Sequence, residues 1–162
     1  MQRLTIAFAC ATVFSMFGTA ADARPVVSLA LHGAVVGHDA RGAETLTPVE
    51  RAALRPGELV RYDIRVANAG ADPAQRLVPI GRIPAGTSYK AGSASGSAQT
   101  RVEFSTDNGK TWAEKPLVRV QTPSGSVEKV ASPGSYTALR WVSARALAPR
   151  TSATYHYDVK IK

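Results

Sequence analysis

The chain has 162 residues, with 20 Lys and Arg against 12 Asp and Glu, a net charge of +8, and one cysteine. That length suits a single domain of ordinary size, and a lone cysteine excludes a disulfide framework or a thiolate metal cluster. The basic excess permits attraction to anionic polymers. However, Arg55, Arg61, Arg65, Arg76 and Arg82 stand singly, with no basic run and no interleaved aromatics. The pattern favours a solvated surface over a nucleic-acid site.

Met1-Gln2-Arg3 is a short positive start, Leu4 to Phe17 is apolar and uncharged, and Ala21-Asp22-Ala23 has the small-x-small form that precedes signal cleavage. Residues 1–23 therefore read as a signal peptide and 24–162 as one mature domain, with a cut after Ala20 as the competing boundary. The segment takes one cation and one anion with it, so the charge stays at +8. Cys10 lies inside it, too early and with no leucine where a lipoprotein signal wants one, so no lipid anchor is expected. Export without cysteines leans towards a bacterial periplasm or cell surface. No later stretch is long and apolar enough for a spanning helix.

In chain order, Pro25 to Leu31 is an apolar strand, continued by Ala34 to Gly37 after a break at Gly33. Residues 39–58 are undecided. Thr47-Pro48-Val49-Glu50 has the form of an N-cap followed by proline, which allows a helical turn from Val49 to Leu54, but an irregular loop serves equally. Pro56-Gly57 then opens the clearest element. Val60, Tyr62, Ile64 and Val66 alternate with Arg61, Asp63 and Arg65, the period of a strand with one buried face. Asn68 and Gly70 end it at a turn.

Arg76 to Ile83 is a further strand, placed at an edge or bulge by Pro79. Pro84-Ala85-Gly86-Thr87 predicts a type II turn with Pro at the first central position. Tyr89 heads a segment that dissolves into small residues at 91–97, expected to be a mobile loop. Val102 and Phe104 alternate with Arg101 and Glu103, and Asn108-Gly109 supplies a tight hairpin from which Thr111 and Trp112 begin the return strand. Leu117 to Gln121 is a strand, and 123–134 is a Ser-rich loop. Thr137, Leu139 and Trp141 share a face opposite Arg140. Tyr155, Tyr157, Val159 and Ile161 alternate with His156, Asp158, Lys160 and Lys162.

With no amphipathic helix after Arg24, the expectation is an all-β, two-sheet antiparallel sandwich of about seven to nine strands. One wet face per strand argues against a doubly wound parallel sheet.

The stretch Leu54-Arg-Pro-Gly-Glu58, with Val60 to Gly70, resembles the opening of the prokaryotic "conserved repeat" domain, number eleven among the domains of unknown function. Ile83 to Tyr89, Gly92-Ser93, Phe104 to Gly109, Leu139-Arg-Trp141 and Leu147-Ala-Pro149 resemble its later landmarks, in the same order. The likeness covers roughly 54–161. It implies an immunoglobulin-like sandwich in an exported or surface-attached protein, without enzymatic activity. Many relatives carry tandem copies, whereas this chain has one, and no wall-sorting or outer-membrane tail is visible.

Ser105 to Trp112 also matches the Asp-box pattern Ser-x-Asp-x-Gly-x-Thr-Trp, which recurs once per blade in sialidases and other β-propellers. A single box in about 139 residues cannot build a propeller, so the expected role is structural. The Asp107 carboxylate would hold the turn, with Trp112 packed beneath it. Trp112 is also the best candidate for an exposed ring, while Tyr62, Phe104, Trp141, Tyr155 and Tyr157 fall on inward phases.

For catalysis, only Gly92 to Gly96 and Ser124-Gly125-Ser126 place serine beside glycine, and neither sits in a strand-to-helix elbow. Carboxylates have local explanations: Glu58 at a turn, Asp63 and Asp158 on exposed strand faces. No phosphate loop or dinucleotide fingerprint occurs, and no cofactor is expected. The metal candidates are His32, His38 and Asp39, although a spacing of six matches no ligand signature. The positions expected to matter structurally are Pro56, Gly57, Tyr62, Asn68, Gly86, Asp107, Gly109, Trp112 and Trp141. The reading is a non-enzymatic structural or interaction module of the cell envelope, with an envelope protein as partner. The alternatives are a binder of anionic glycan or lipid, or a small metal-binding protein.

Overall fold

The computed structural model describes residues 24–97 and 99–162, so the expected signal peptide lies outside the described residues. Among the described residues there are ten strands: β1 (Val27–His38), β2 (Glu44–Pro48), β3 (Leu59–Asn68), β4 (Ile80–Arg82), β5 (Thr87–Tyr89), β6 (Thr100–Ser105), β7 (Leu117–Thr122), β8 (Gly125–Val130), β9 (Ala138–Ser143) and β10 (Thr151–Ile161). The helical content of the described residues is two single 3-10 turns, Val49–Arg51 and Pro133–Ser135. The chain is all-β. A five-stranded sheet in the order β2-β1-β3-β10-β5 faces a three-stranded sheet, β4-β9-β6, while β7 and β8 form a separate hairpin. Every strand pairing is antiparallel.

The alternation of β3 sets the core. Val60, Ile64 and Val66 are buried and Tyr62 is half-buried, while Arg61, Asp63 and Arg65 lie on the other face of the sheet. β10 pairs with β3 along ten positions, bringing Tyr155, Tyr157 and Val159 beside them. Leu139 and Trp141 of β9 close the core from the facing sheet. Tyr62 stacks on Tyr157 at 5.3 Å, and Trp141 leans on Tyr155 and Tyr157 at 5.5 and 6.0 Å. Burying each such side chain stabilises the fold by roughly 1.5–3 kcal/mol. The five aromatics expected on inward phases all pack in or against this core.

Two strands exceed the sequence expectation, and both lie where no apolar face is buried. β2 is exposed throughout and owes its place to the turn before it. Asp39 Oδ1 accepts from the amides of Arg41 (2.8 Å) and Ala43 (2.9 Å), with Gly42 at positive φ. Thr47 is thus a strand residue rather than a helix cap, and the chain makes only the 3-10 turn after Pro48. β8, in the expected Ser-rich loop, is equally exposed along its length.

Other local expectations are corrected. β1 runs unbroken through Gly33, whose missing Cβ makes room for Tyr62 and Val49, since a Cβ there would stand 3.2 Å from both. At the turn after Ile83, Thr87 N–H donates to Pro84 O, so Pro84 is the first corner and Gly86, at φ +80°, the second central residue. Tyr89 ends β5 instead of starting a segment. The small residues that follow are docked: Ser95 bridges His156 on the β10 edge, and a Cβ on Gly96 would meet Tyr155 at 2.6 Å. Beyond the Asn108-Gly109 turn, Ala113 makes a single bridge to Phe104 in place of a return strand.

Asn68 ties the end of β3 to two loops. Its Oδ1 accepts from Val26 N–H (3.2 Å) and Gly70 N–H (3.1 Å). Its Nδ2 faces the carbonyls of Asp72 (2.7 Å), Leu147 (3.2 Å) and Ala148 (3.3 Å). Gly70 must stay small because a Cβ would land on the backbone of Arg24 to Val26.

Candidate functional site

The Asp-box turn is built as the pattern predicts. Asn108 and Gly109 both take positive φ, and the Asp107 carboxylate accepts from Ser105 Oγ (2.7 Å), the amides of Lys110 (3.0 Å) and Thr111 (2.9 Å), and Thr111 Oγ1 (2.6 Å). The Thr111 hydroxyl and amide, with the Ser105 hydroxyl, hold the Asp107 carboxyl well below the usual range. The Trp112 ring lies 3.1 Å from where a Cβ of Gly109 would stand. Its exposure is partial, because the Arg140 guanidinium sits 4.7 Å over it.

Arg140 does more than the wet phase of β9 suggests. It donates to Glu103 Oε2 at 2.8 and 2.6 Å, while Arg101 holds Oε1 at 2.7 Å. Glu103 is only 8 % exposed. Burial opposes its charge, but the bonds from Arg140 and Arg101 outweigh burial and lower its pKa. From strand phase alone, Arg140→Ala would cost little. With Glu103 losing a partner, the expected loss is instead about 1–2 kcal/mol, measured as a shift in urea midpoint.

Glu103 and Asp107 both have folded pKa values below their unfolded ones. Their contribution is complete above the unfolded carboxylate value and is lost as pH falls through the folded one. The urea midpoint is therefore expected to fall from about pH 5 downwards. Glu103→Gln should flatten that slope, and an unchanged slope would mean that the pair does not set acid stability.

The outer face of the large sheet carries a second network. Asp158, expected on an exposed face, is 2 % exposed. Arg61 donates to it at 2.9 and 3.3 Å and also pairs with Glu44, while Lys90 reaches it at 3.4 Å. The bonds to Asp158 and Glu44 raise the Arg61 pKa. The sequence missed this cluster because its members come from β2, β3, β10 and the loop after β5.

His32 and His38 are six residues apart on unbroken β1, about 20 Å at strand spacing. Asp39 is engaged in its turn. The geometry does not bring the three metal candidates together. It does align His32, Asp63 and His156 in one row across β1, β3 and β10. No group of three or more His, Cys, Asp or Glu among the described residues is placed to hold a metal ion.

Of the serine stretches, Ser93 accepts from the Asp158 amide (3.0 Å) and Ser95 is a bridge residue. Ser124 and Ser126 lie at the tip of the β7–β8 hairpin, where Ser124 Oγ meets Thr122 Oγ1 at 3.2 Å. Among the described residues, none of these serine hydroxyls bonds to a histidine side chain.

The feature left over is an opening between the sheets. β4, three residues long, covers only part of the large sheet. Gly81 allows it to approach, since a Cβ there would stand 2.5 Å from the Tyr157 ring, and Tyr157 OH donates to Arg82 O at 2.5 Å. Burial raises the Tyr157 pKa, which keeps that donor protonated. Beside β4 a cleft of about 400 Å³ is lined by Leu31, Tyr62, Gly81, Arg82, Pro84 and Tyr157. Past its mouth, the first half of β1 lies uncovered. No helix among the described residues is long and apolar enough to cross a membrane. No protein-family model, curated protein or solved structure matches the chain.

Proposed function

We propose that the protein is an exported, non-enzymatic interaction module of the bacterial cell envelope, with an immunoglobulin-like sandwich that binds a protein partner through a strand edge. One observation carries the reading: the apolar cleft opens beside β1, whose residues 27–33 pair with β3 on one side and with no described strand on the other. Such an edge offers backbone donors and acceptors in a row with apolar side chains beside them, the requirements for strand addition. The export signal read from residues 1–23 and the conserved-repeat resemblance support the envelope location.

The test is photo-crosslinking in intact cells from a probe amino acid at position 28, on the uncovered half of β1. A crosslinked protein species supports the module. Recovery of free monomer alone, with the protein folded and exported, would overturn it.

A further inference from the structure

The hydrogen-bond phase of β1 identifies which of its groups lack partners. On the β3 side, Ala69 N–H donates to Val26 O (2.8 Å); at the β2 hairpin, Asp39 N–H donates to Ala43 O (2.9 Å). Bonded positions alternate in an antiparallel ladder. Even-numbered residues of β1 thus bond towards β3 and odd-numbered ones towards the opposite side. β2 occupies that opposite side only from Ala34 to His38. The amides and carbonyls of Val27, Leu29 and Leu31 therefore point at an edge with no described strand. Their side chains lie on the inner face, level with Asn68, Val66 and Ile64, yet are 45, 57 and 56 % exposed. Edges of this kind are normally blunted by charge, proline or a bulge. From Val26 to Gly37 there is none of these.

We infer that this edge pairs with the same edge of a second copy, β1 against β1 antiparallel, about a two-fold axis at Leu29. The inference rests on the reading of the chain as an interaction module and names its partner. Three features select a second copy. The first is register: with Leu29 opposite Leu29, Val27 meets Leu31 of the other copy, so each inward pair is apolar. The three odd residues of each strand then satisfy one another in about six hydrogen bonds, and the pairing ends before either β2 is reached.

The second feature is charge. A chain at +8 repels itself over most of its surface, but residues 25–37 contain no Asp, Glu, Lys or Arg. Like copies can meet there without apposing cations. The third is area. The exposed surface of Val26, Val27, Leu29 and Leu31 with the strand edge, counted on both copies, is on the order of 1,000 Å², the lower limit for a specific interface. A homodimer with Kd of about 10 μM is expected.

Sedimentation velocity of the purified protein between about 1 and 200 μM tests this. The expected result is a shift from monomer to dimer across the range. Leu29→Lys would set two ammonium groups together at the axis in place of a buried leucine pair, weakening association at least ~300-fold and leaving monomer predominant throughout. Thr154→Lys adds the same charge on the exposed face of β10 and should dimerise like the parent. If Leu29→Lys fails to fold by circular dichroism, Leu31→Lys takes its place. A parent that stays monomeric, or a dimer indifferent to both β1 variants, overturns the inference. A monomeric parent that still crosslinks to another protein in cells removes the homodimer and leaves the module standing; a monomer without crosslinks removes both.

Discussion

Trp141→Ala is expected to destabilise the fold by about 3–5 kcal/mol, read as a fall in urea midpoint at unchanged slope. Trp141 is fully buried in the centre of β9, and it packs against Tyr155 and Tyr157. Removing the indole opens a cavity between the two sheets that neither tyrosine can fill, because Tyr157 is tethered to Arg82 O. The indole has one weakness. Its Nε1 is buried with no hydrogen-bond partner among the described residues. An unpaired buried donor costs about 1–3 kcal/mol, so Trp141→Phe removes bulk and that cost together. Phe is therefore expected to lose no more than about 1–2 kcal/mol, well short of the alanine variant. Equal losses for Phe and Ala would mean that the ring's second half carries the packing and that the orphan donor costs nothing.

The second large effect is Asn68→Ala, expected at about 2–4 kcal/mol. The amide holds two backbone N–H groups and faces three carbonyls, all at a buried position. Truncation strands those groups without providing a replacement. The damage should be local as well as global: the amides of Val26 and Gly70 are expected to lose hydrogen-exchange protection before the centre of β3 does. Asn68→Asp separates the two halves of the amide. It keeps the acceptor for Val26 and Gly70 but turns a donor into an anion against the carbonyls of Asp72, Leu147 and Ala148. A loss at neutral pH as large as that of alanine, relieved as the carboxyl protonates, is the expected outcome. A loss under about 0.5 kcal/mol for Asn68→Ala would assign the junction to packing alone.

Both predictions began as sequence readings, but to different depths. The alternation in β3, β9 and β10 told which residues face inward, and Trp141 was legible from its neighbours Leu139 and Arg140. Asn68 was legible only as the end of a strand. Three of its five partners, Val26, Leu147 and Ala148, lie 42 to 80 residues away, and no local pattern reports those. Arg140 and Asp158 show the same limit from the other direction: their phase places them on the outer face, yet partners from other strands cover them there. β2 and β8 escaped notice because period-two reasoning needs one buried face, and both strands have two wet ones.

The sequence by itself determined that the chain is all-β, which side of each principal strand faces the core, and where the Asn108-Gly109 turn reverses the chain. These are local matters: side-chain period, backbone preference and turn chemistry act over a few residues. Tertiary structure alone decided which strands are neighbours. Pairing β10 with β3 and β1 with β3 set His32, Asp63 and His156 in one row, brought Arg61 to Asp158 across 97 residues, and left Val27, Leu29 and Leu31 on an open edge. Strand order is chosen by the combined burial of two sheets, a sum over the whole chain, so no single segment encodes the edge that remains unpaired.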